Sequence, residues 1–326
     1  MKTYNLGFLI LLLLPFTSQL TDSQQKQNIN RTGATNLVFR SVDGGQSWQD
    51  ISEGLPADLD RDDYYPDFVA NESGVYLRAW NRVYHCSPNS SIPSWENEIL
   101  PGKNGNRIAP GNSGLFSFTW DGNFMQKRNG TNVWSPIFRN FHGGDIRSIF
   151  ECANGTLFIG TDYRLYKSTN SGKSWKVVNE GGGVLKMAES NGVLMASGPG
   201  ILRSVDEGES WDCVLNEGGV GADIQPIKGG FAAIIANTEV MARTVRASYD
   251  AGKTWQPIDN GLPAQLTTAS IIQVGDDFLC GHPDGIYRSS DKGKTWKLIL
   301  PSIKDRVFNL LISGNMIYAI PRAGGC

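Results

Sequence analysis

The sequence predicts an all-β protein built from many short strands joined by tight turns. Its 326 residues include 38 Gly and 9 Trp, and only 19% are charged. Glycine favours turns and tryptophan favours strands, so this composition suits short strands better than long helices. A hydrophobic content of 40% is sufficient for a packed core. The 30 basic and 32 acidic residues give no basic excess, and we therefore expect no nucleic-acid partner.

An eight-residue motif that occurs five times is the second observation behind this fold class. Its pattern is Ser-x-Asp/Asn-x-Gly-x-Ser/Thr-Trp, at residues 41–48, 168–175, 204–211, 248–255 and 289–296. Two weaker copies run from Ser87 to Trp95 and from Asn129 to Trp134. The seven tryptophans that end these copies are Trp48, Trp95, Trp134, Trp175, Trp211, Trp255 and Trp296, and they are 36 to 47 residues apart. This spacing indicates a repeated unit of supersecondary structure.

Each position of the motif has a physical role in a turn between two strands. The acidic or amide side chain can accept hydrogen bonds from backbone N–H groups of its own turn. These residues are Asp43, Asn170, Asp206, Asp250 and Asp291. The glycine supplies a positive φ angle, and the tryptophan buries a large ring against a neighbouring sheet. We therefore interpret the motif as a structural turn.

The motif resembles the Asp-box, or BNR, repeat of sialidases, sortilin-type receptors, xyloglucan-degrading enzymes and photosystem assembly factors. The resemblance covers about 40–326 and implies a β-propeller with four strands in each blade. The start of the chain, Leu37 to Ile51, would supply the third and fourth strands of one blade. Its end, Val307 to Ile320, would supply the first and second. Seven tryptophans and this shared blade predict a single seven-bladed propeller without an unpaired edge at the seam.

The N-terminal residues predict an exported protein. Lys2 is followed by an apolar run from Leu6 to Phe16, which is too short to span a bilayer comfortably. We predict a signal peptide at 1–22, a disordered leader at 23–35 and the propeller at 36–326. The alternative is an uncleaved N-terminal anchor. The protein would be secreted or periplasmic, monomeric, and free of the membrane after signal removal.

The cysteines and glycosylation motifs are scattered along the chain. The five cysteines, at positions 86, 152, 213, 280 and 326, have neither the spacing of a disulfide framework nor that of a metal site. We expect most to be buried, and one bridge stays open as an alternative. Asn-x-Ser/Thr motifs begin at Asn30, Asn71, Asn89, Asn129 and Asn154. They would matter only in a eukaryotic secretory host.

We expect functional residues on the propeller face opposite the Asp-box turns, around the central channel. The ligand-binding candidates there are Trp80, Arg82, Trp120, Tyr163, Arg164, His282 and Arg322. The catalytic candidates are Asp121, Asp162, His142 and Asp145. The inter-blade loops also place 58–64, Lys103, Arg107, Arg139 and Arg147 on this face, and the loops between second and third strands add Asn81, Glu239, Arg243 and Asp284. The alternative is a solvated rim of ordinary loop residues. The acidic run Asp58–Asp63 offers clustered oxygens of the kind that bind Ca²⁺, but it lacks the spacing and glycine of an EF-hand loop, and a solvated acidic loop is the favoured interpretation. We expect no metal and no cofactor.

Two functions from different classes fit this pattern. The resemblance to sialidases implies an arginine triad, a Tyr–Glu nucleophile pair and an Asp acid/base, but the early Arg-Ile-Pro signature is not found in the chain. Sialidases use six blades, and xyloglucan-degrading enzymes use two propellers, whereas this chain has room for one. We therefore expect a module that binds a glycan or a protein. The alternative is a glycoside hydrolase that uses paired carboxylates such as Asp121 and Asp162.

Overall fold

The computed structural model is a ring of seven four-stranded antiparallel sheets, a seven-bladed β-propeller. It describes residues 34–60, 67–88, 92–101, 107–119, 122–138, 143–237, 239–264 and 267–322. In this part of the chain, a 3-10 turn at Ala57–Asp60 is the one helical segment. The predicted signal peptide at 1–22 and the leader up to residue 33 lie outside the described residues. So does Cys326.

The strands follow one another blade by blade. The chain begins with β1 (Phe39–Ser41) and β2 (Gln49–Asp50). Blade 1 contains β3 (Asp67–Asn71), β4 (Gly74–Ala79), β5 (Arg82–Cys86) and β6 (Glu96–Ile99). Blade 2 contains β7 (Arg107–Gly111), β8 (Gly114–Phe118), β9 (Phe124–Arg128) and β10 (Trp134–Phe138). Blade 3 contains β11 (Ile146–Glu151), β12 (Leu157–Thr161), β13 (Leu165–Ser168) and β14 (Lys176–Asn179).

The remaining blades repeat this order. Blade 4 contains β15 (Lys186–Ser190), β16 (Val193–Gly198), β17 (Gly200–Ser204) and β18 (Asp212–Leu215). Blade 5 contains β19 (Val220–Ile227), β20 (Gly230–Asn237), β21 (Ala242–Ser248) and β22 (Gln256–Pro257). Blade 6 contains β23 (Ser270–Val274), β24 (Asp277–His282), β25 (Gly285–Ser289) and β26 (Lys297–Pro301). Blade 7 contains β27 (Val307–Ser313) and β28 (Met316–Arg322), which are joined by β1 and β2.

The two ends of the described chain close the ring, as the sequence predicts. In blade 7 the strand order is β2-β1-β28-β27. Strand β1 pairs with β28 in antiparallel register, with Phe39 opposite Ala319 and Ser41 opposite Ile317. The ladder between the two ends leaves no unpaired edge at the seam, and it makes closure of the ring depend on both ends of the propeller.

The alternation of strand direction separates the connections onto two faces. The first strands of neighbouring blades contact one another around the ring and surround a central channel. Connections between first and second strands, and between third and fourth strands, therefore lie on one face, here called the turn face. Connections between second and third strands, and between blades, lie on the opposite face, here called the mouth face. All five copies of the eight-residue motif belong to the turn face.

The motif turns that contain an aspartate form the same hydrogen bonds in each blade. In blade 4, Asp206 Oδ1 accepts from Ser210 N at 3.0 Å, and Oδ2 accepts from Ser210 Oγ at 2.6 Å. The hydroxyl of Ser204 donates to Asp206 Oδ1 and accepts from Gly208 N, both at 2.8 Å. Equivalent contacts surround Asp43, Asp250 and Asp291. One side chain thus organises the whole turn.

The tryptophans that follow these turns pack onto the preceding blade. Trp296 Nε1 donates to Ile258 O at 2.8 Å, and the ring joins the hydrophobic cluster between blades 5 and 6. The ring of Trp211 meets Phe158 of blade 3 edge-on, with centroids 6.1 Å apart. The other tryptophans of the series also contact apolar clusters that span two blades. This confirms the interpretation that they hold adjacent sheets together.

Second strands have continuous buried runs because they lie inside the sheet, with a neighbouring blade on each side. All five residues of β8 and all five of β12 are buried. Cys86, Cys152 and Cys280 are buried, Cys213 is exposed, and these four described cysteines are free thiols. No helix in the described ranges has the length and apolar character needed to cross a bilayer.

Candidate binding site

The central channel is a cavity of about 1190 Å³ bounded by the first strands. The charged residues that line the channel differ in sign between its two ends. Among the described residues, the mouth-face end carries four cations and one carboxylate: Arg107, Arg147, Lys186, Arg322 and Asp67. The turn-face end carries three carboxylates: Glu72, Glu151 and Glu189. We call the first set the basic mouth. Two of its cations are paired with carboxylates, Arg147 with Asp162 and Lys186 with Asp223. Its attraction for anionic groups therefore rests mainly on Arg107 and Arg322, which share Asp67.

Asp67 is the shared counter-charge of the basic mouth. Its carboxylate accepts from Arg78 at 3.4 Å and lies 3.7 Å from Arg107 Nε. The guanidinium of Arg107 also lies over the ring of Phe118, 5.9 Å from its centroid. Burial lowers the pKa of Arg322, because desolvation penalises its charge; nearby Arg107 adds to this effect, and Asp67 opposes it. Several arginines thus surround one carboxylate.

Arg147 and Asp162 form a bidentate ion pair in blade 3. Arg147 Nε lies 2.5 Å from Asp162 Oδ1, and Arg147 Nη2 lies 2.9 Å from Oδ2. The hydrogen bond from Arg147 lowers the pKa of Asp162 below its ordinary value. Asp145 lies close enough to contribute to the raised pKa of Arg147. Asp162 is therefore ionised near neutral pH, with both oxygens engaged, and this state is opposite to that of a general acid.

The fourth cation of the basic mouth is bound to a buried carboxylate. Lys186 Nζ lies 2.5 Å from Oδ1 of Asp223, which is 1% exposed. The other oxygen of Asp223 accepts from Ile271 N at 3.3 Å. Strand β19 has an irregular register between Gly221 and Asp223. The Asp223 carboxylate therefore links blades 4, 5 and 6.

Apolar side chains are exposed on the mouth face of blades 4 and 5. They are Leu185, Val220, Val240 and Met241, which are 45% to 68% exposed. Leu185 precedes β15, and Val220 begins β19. Val240 and Met241 form the tip of the β20–β21 hairpin, whose strands have eight and seven residues. We call these four residues the apolar shoulder. Exposed apolar side chains on this face offer surface to an apolar group of a ligand.

Four of the predicted ligand-binding residues lie on the mouth face, as the strand order requires. Trp80 is 39% exposed and has a positive φ angle of 52°, and Tyr163 is 76% exposed. Arg82 donates to Asn97 Oδ1 at 2.5 Å, and Arg164 lies 3.5 Å from Glu180. The structure does not bring these four residues into the channel lining. Of the predicted ligand-binding residues that are described, Arg322 alone lines the channel.

His282 does not lie on the surface where ligand binding was expected. Its side chain is fully buried. Nε2 is 3.0 Å from Pro263 O, and Nδ1 accepts from Asp284 N at 3.2 Å. Burial lowers the pKa of this imidazole. Because strand β24 extends through His282 and the Pro263 segment covers it, the residue serves local packing.

Three predicted residues lie outside the described part of the chain: Trp120, Asp121 and His142. The same is true of 61–63 in the acidic run. The pairing of Asp121 with Asp162 stays a prediction. No group of three or more potential metal ligands occurs in the ranges that the structure describes.

Sequence reasoning missed Asp67, Lys186, Asp223 and the apolar shoulder. For Asp67 and Lys186, the sequence did contain a signal, namely their position at the start of a strand. Asp67, Arg107 and Lys186 each begin the first strand of their blade, and Arg147 is second in its strand. Aligning the blades by strand position would have revealed a charge at the channel mouth in four consecutive repeats. Asp223 lacked this signal, because the irregular register in β19 shifts it.

No family model matches this sequence, and a search of curated proteins found no similar sequence. Solved structures do resemble it. The xyloglucanase of family GH74 from Xanthomonas campestris is 16% identical, with a TM-score of 0.62 over 86% of this chain and 53% of its own. A catalytically inactive virginiamycin B lyase from Staphylococcus aureus with quinupristin is 13% identical, with a TM-score of 0.61 over 81% of this chain and 97% of its own. YCF48 bound to D1 peptide is 13% identical, with a TM-score of 0.55 over 78% of this chain and 93% of its own.

The chain is a seven-bladed β-propeller. At these identities the likeness concerns the fold, and the three neighbours differ in what they do. The propeller spans about half the length of the xyloglucanase. Function must therefore be argued from the residues of the site.

Proposed function

We propose that this propeller is a binding module, and that its mouth face holds an acidic segment of a partner protein. The observation that carries the proposal is the basic mouth, where four cations and one carboxylate of the described residues line the end of the channel. An acidic segment would gain charge-assisted hydrogen bonds from the arginines. The field of the channel entrance would also speed encounter with such a partner.

The apolar shoulder supports a polypeptide ligand. A peptide carries acidic and apolar side chains in close sequence, and the basic mouth and the apolar shoulder offer complementary surfaces on one face. YCF48, a structural neighbour, was solved with a D1 peptide. This shows that a propeller of similar fold can hold a peptide. A glycan is the second candidate, because Trp80 and Tyr163 present exposed rings on the mouth face.

Binding explains the described carboxylates better than glycoside hydrolysis does. A glycosidase requires one carboxylic acid that stays protonated near neutral pH. Asp162 has the opposite property, since Arg147 lowers its pKa and engages both oxygens. A carboxylate held in this way positions an arginine at the channel entrance. We therefore assign Asp162 a positioning role.

We further propose that the five motif turns are Asp-box repeats and that the protein is exported. The first proposal is supported by the shared hydrogen bonds of the motif turns, in which the acidic or amide side chain receives the backbone N–H of the Ser or Thr four residues later. The second is supported by the apolar run near the N-terminus.

The test is to measure binding of the purified full chain to acidic, neutral and basic peptide libraries and to a glycan array. We expect preference for acidic peptides and weaker binding at higher salt. Arg107→Gln should lower the affinity about tenfold, which is the value of one charge-assisted hydrogen bond. Lys228→Gln is the matched control, since it removes one positive charge from an exposed side chain of the turn face.

Equal loss in both variants would indicate a general charge effect and contradict the assignment of the basic mouth. Preference for neutral glycans, with loss of binding in Trp80→Ala, would support the second candidate instead. Turnover of a glycan by the wild-type chain would overturn the binding proposal.

A further inference from the structure

Three Asn-x-Ser/Thr motifs lie close together on the turn face. Asn71 ends β3 of blade 1, Asn129 follows β9 of blade 2, and Asn154 lies between β11 and β12 of blade 3. They therefore occupy three consecutive blades. No motif of this kind begins at a mouth-face position among the described residues. The binding proposal makes no use of these motifs.

In two of the motifs the side-chain oxygen of the asparagine is engaged inside its own turn. Asn71 Oδ1 accepts from Ser73 N at 2.9 Å, and Asn154 Oδ1 accepts from Thr156 N at 3.0 Å. Each oxygen is thus used inside its turn. These turn hydrogen bonds do not use the amide nitrogen Nδ2, which is the atom that a glycan would modify. Asn154 is exposed, and Asn71 is half-buried.

Asn129 is compatible with a sugar for a different reason. Its Nδ2 donates to Asn112 O at 2.9 Å, and the residue is exposed. An amide nitrogen that carries a sugar keeps one N–H. The hydrogen bond to Asn112 can therefore persist after modification. Asn129 follows β9 at an exposed position, and a bulky sugar belongs on such a surface.

Two of these asparagines also border the channel. Asn71 and Asn129 are among the residues that line the cavity at its turn-face end, together with Glu72 and Glu151. A substituent on either asparagine would project over the acidic end of the channel. The basic mouth lies at the opposite end and would stay open.

We propose that Asn71, Asn129 and Asn154 are N-glycosylation sites, and that their glycans cover the turn face of blades 1 to 3 and the acidic end of the channel. The donor is an oligosaccharide linked through a diphosphate to a polyprenol lipid. A bond forms between Nδ2 and the anomeric carbon of the sugar. The bond between this carbon and the diphosphate oxygen breaks, and the amide loses one proton. The inference rests on the export proposed above and requires a eukaryotic secretory pathway.

The experiment is to express the full chain in a eukaryotic secretory cell line, once with its own N-terminus and once with residues 1–22 replaced by an established secretion signal. Site occupancy is measured by mass spectrometry after enzymatic deglycosylation in heavy-oxygen water, which labels each former glycan site. We expect all three asparagines to be occupied in both chains. Asn71→Gln, Asn129→Gln and Asn154→Gln should each remove one glycan.

Asn112→Gln is the matched control, because Asn112 lies on the same face without the Ser/Thr of the motif, and it should leave the glycan number unchanged. Ser73→Ala and Thr131→Val remove the motif without changing the asparagine, and each should also remove one glycan. Thr156→Ser keeps the motif and should keep its glycan.

Empty sites in the chain with the replaced signal would overturn the assignment of acceptors. Empty sites only in the chain with its own N-terminus would overturn the proposal for this protein, because the asparagines would not meet the transferase. Binding of acidic peptides should be the same before and after deglycosylation. An increase on deglycosylation would place the ligand on the turn face and contradict the basic mouth, while leaving the acceptor sites established.

Discussion

Lys186 and Asp223 form an ion pair across the interface of blades 4 and 5, with Nζ 2.5 Å from Oδ1. The carboxylate is buried, whereas the lysine is half-exposed at the channel mouth. The second oxygen of Asp223 accepts from the backbone of Ile271 in blade 6. One buried charge thus holds a cation of the proposed site and also joins three blades of the ring.

Asp223→Ala should lower the free energy of unfolding by roughly 2–4 kcal/mol. The substitution leaves the Ile271 N–H without its acceptor and Lys186 without its counter-charge. Urea denaturation measures the change. The matched control is Asp276→Ala, whose partner Lys228 is 3.1 Å away and where both side chains are largely exposed. This exposed pair should contribute less than about 1 kcal/mol. Similar losses in both variants would contradict the role given to burial.

Gly208 and Gly192 allow the energetic cost of backbone strain to be measured separately from the cost of overpacking. Both have positive φ angles, 82° and 75°. A Cβ atom at Gly208 would lie 2.4 Å from a ring carbon of Phe158, whereas a Cβ at Gly192 would meet nothing within 4 Å. We expect Gly192→Ala to cost about 1 kcal/mol of unfolding free energy through strain alone. Gly208→Ala should cost roughly 2–4 kcal/mol, because overpacking adds to the strain.

Thermal and urea unfolding of the two variants provide the measurement. Equal destabilisation would mean that the blade interface adapts to the extra methyl group, and that the turn glycine is required by its φ angle only.

The ring and its closure could be predicted from sequence because each repeat carries local information. The Asp206 turn and the Trp211 that follows it are contiguous, so the motif can be recognised from its spacing alone. The basic mouth could not be predicted in the same way. Asp67, Lys186 and Arg322 are far apart in sequence, and they line one cavity only because the ring aligns the mouth ends of their strands.

His282 shows why loop position alone is insufficient. In sequence it precedes Asp284 and Gly285 and looks like a polar residue of a mouth-face loop. In the structure β24 continues through His282, and β25 begins at Gly285, so the connection is short. The segment that contains Pro263 then covers the imidazole. The burial results from the long connection between blades 5 and 6, which has no repeat pattern.

The aspartates of the motif turns should make the stability of the fold depend on pH in the acidic range. Hydrogen bonds from the Ser47 side chain and backbone lower the pKa of Asp43 to about 2, from an ordinary value of 3.8. A carboxyl group whose pKa is lower in the folded than in the unfolded state stabilises the fold at pH values above its unfolded-state pKa. This contribution is lost as the pH falls from about 4 towards 2. Asp206, Asp250 and Asp291 have lowered pKa values for the same reason. We therefore expect the urea midpoint to fall over this range.

Asn170 occupies the equivalent position in blade 3 and provides the comparison. Its Oδ1 accepts from Ser174 N at 3.0 Å, and its Nδ2 donates to Ser174 Oγ at 2.8 Å. The serine hydroxyl thus accepts where Ser47 donates, so an amide can replace the acid. Asp43→Asn should fold and should flatten part of the acid dependence. Asn170→Ala should lower the urea midpoint equally at pH 6 and pH 3. An unchanged acid dependence in Asp43→Asn would contradict the assignment.

Trp296 and Trp255 allow the contribution of one interblade hydrogen bond to stability to be separated from the contribution of ring packing. Both are half-buried and pack onto the preceding blade. Trp296 Nε1 donates to Ile258 O at 2.8 Å, whereas the buried Nε1 of Trp255 has no hydrogen-bond partner among the described residues. Phenylalanine keeps much of the ring contact and removes the N–H in both cases. Trp296→Phe should therefore be more destabilising by about 1–2 kcal/mol, because the Ile258 carbonyl loses its donor. Equal unfolding free energies in urea would show that ring packing alone holds the blades together.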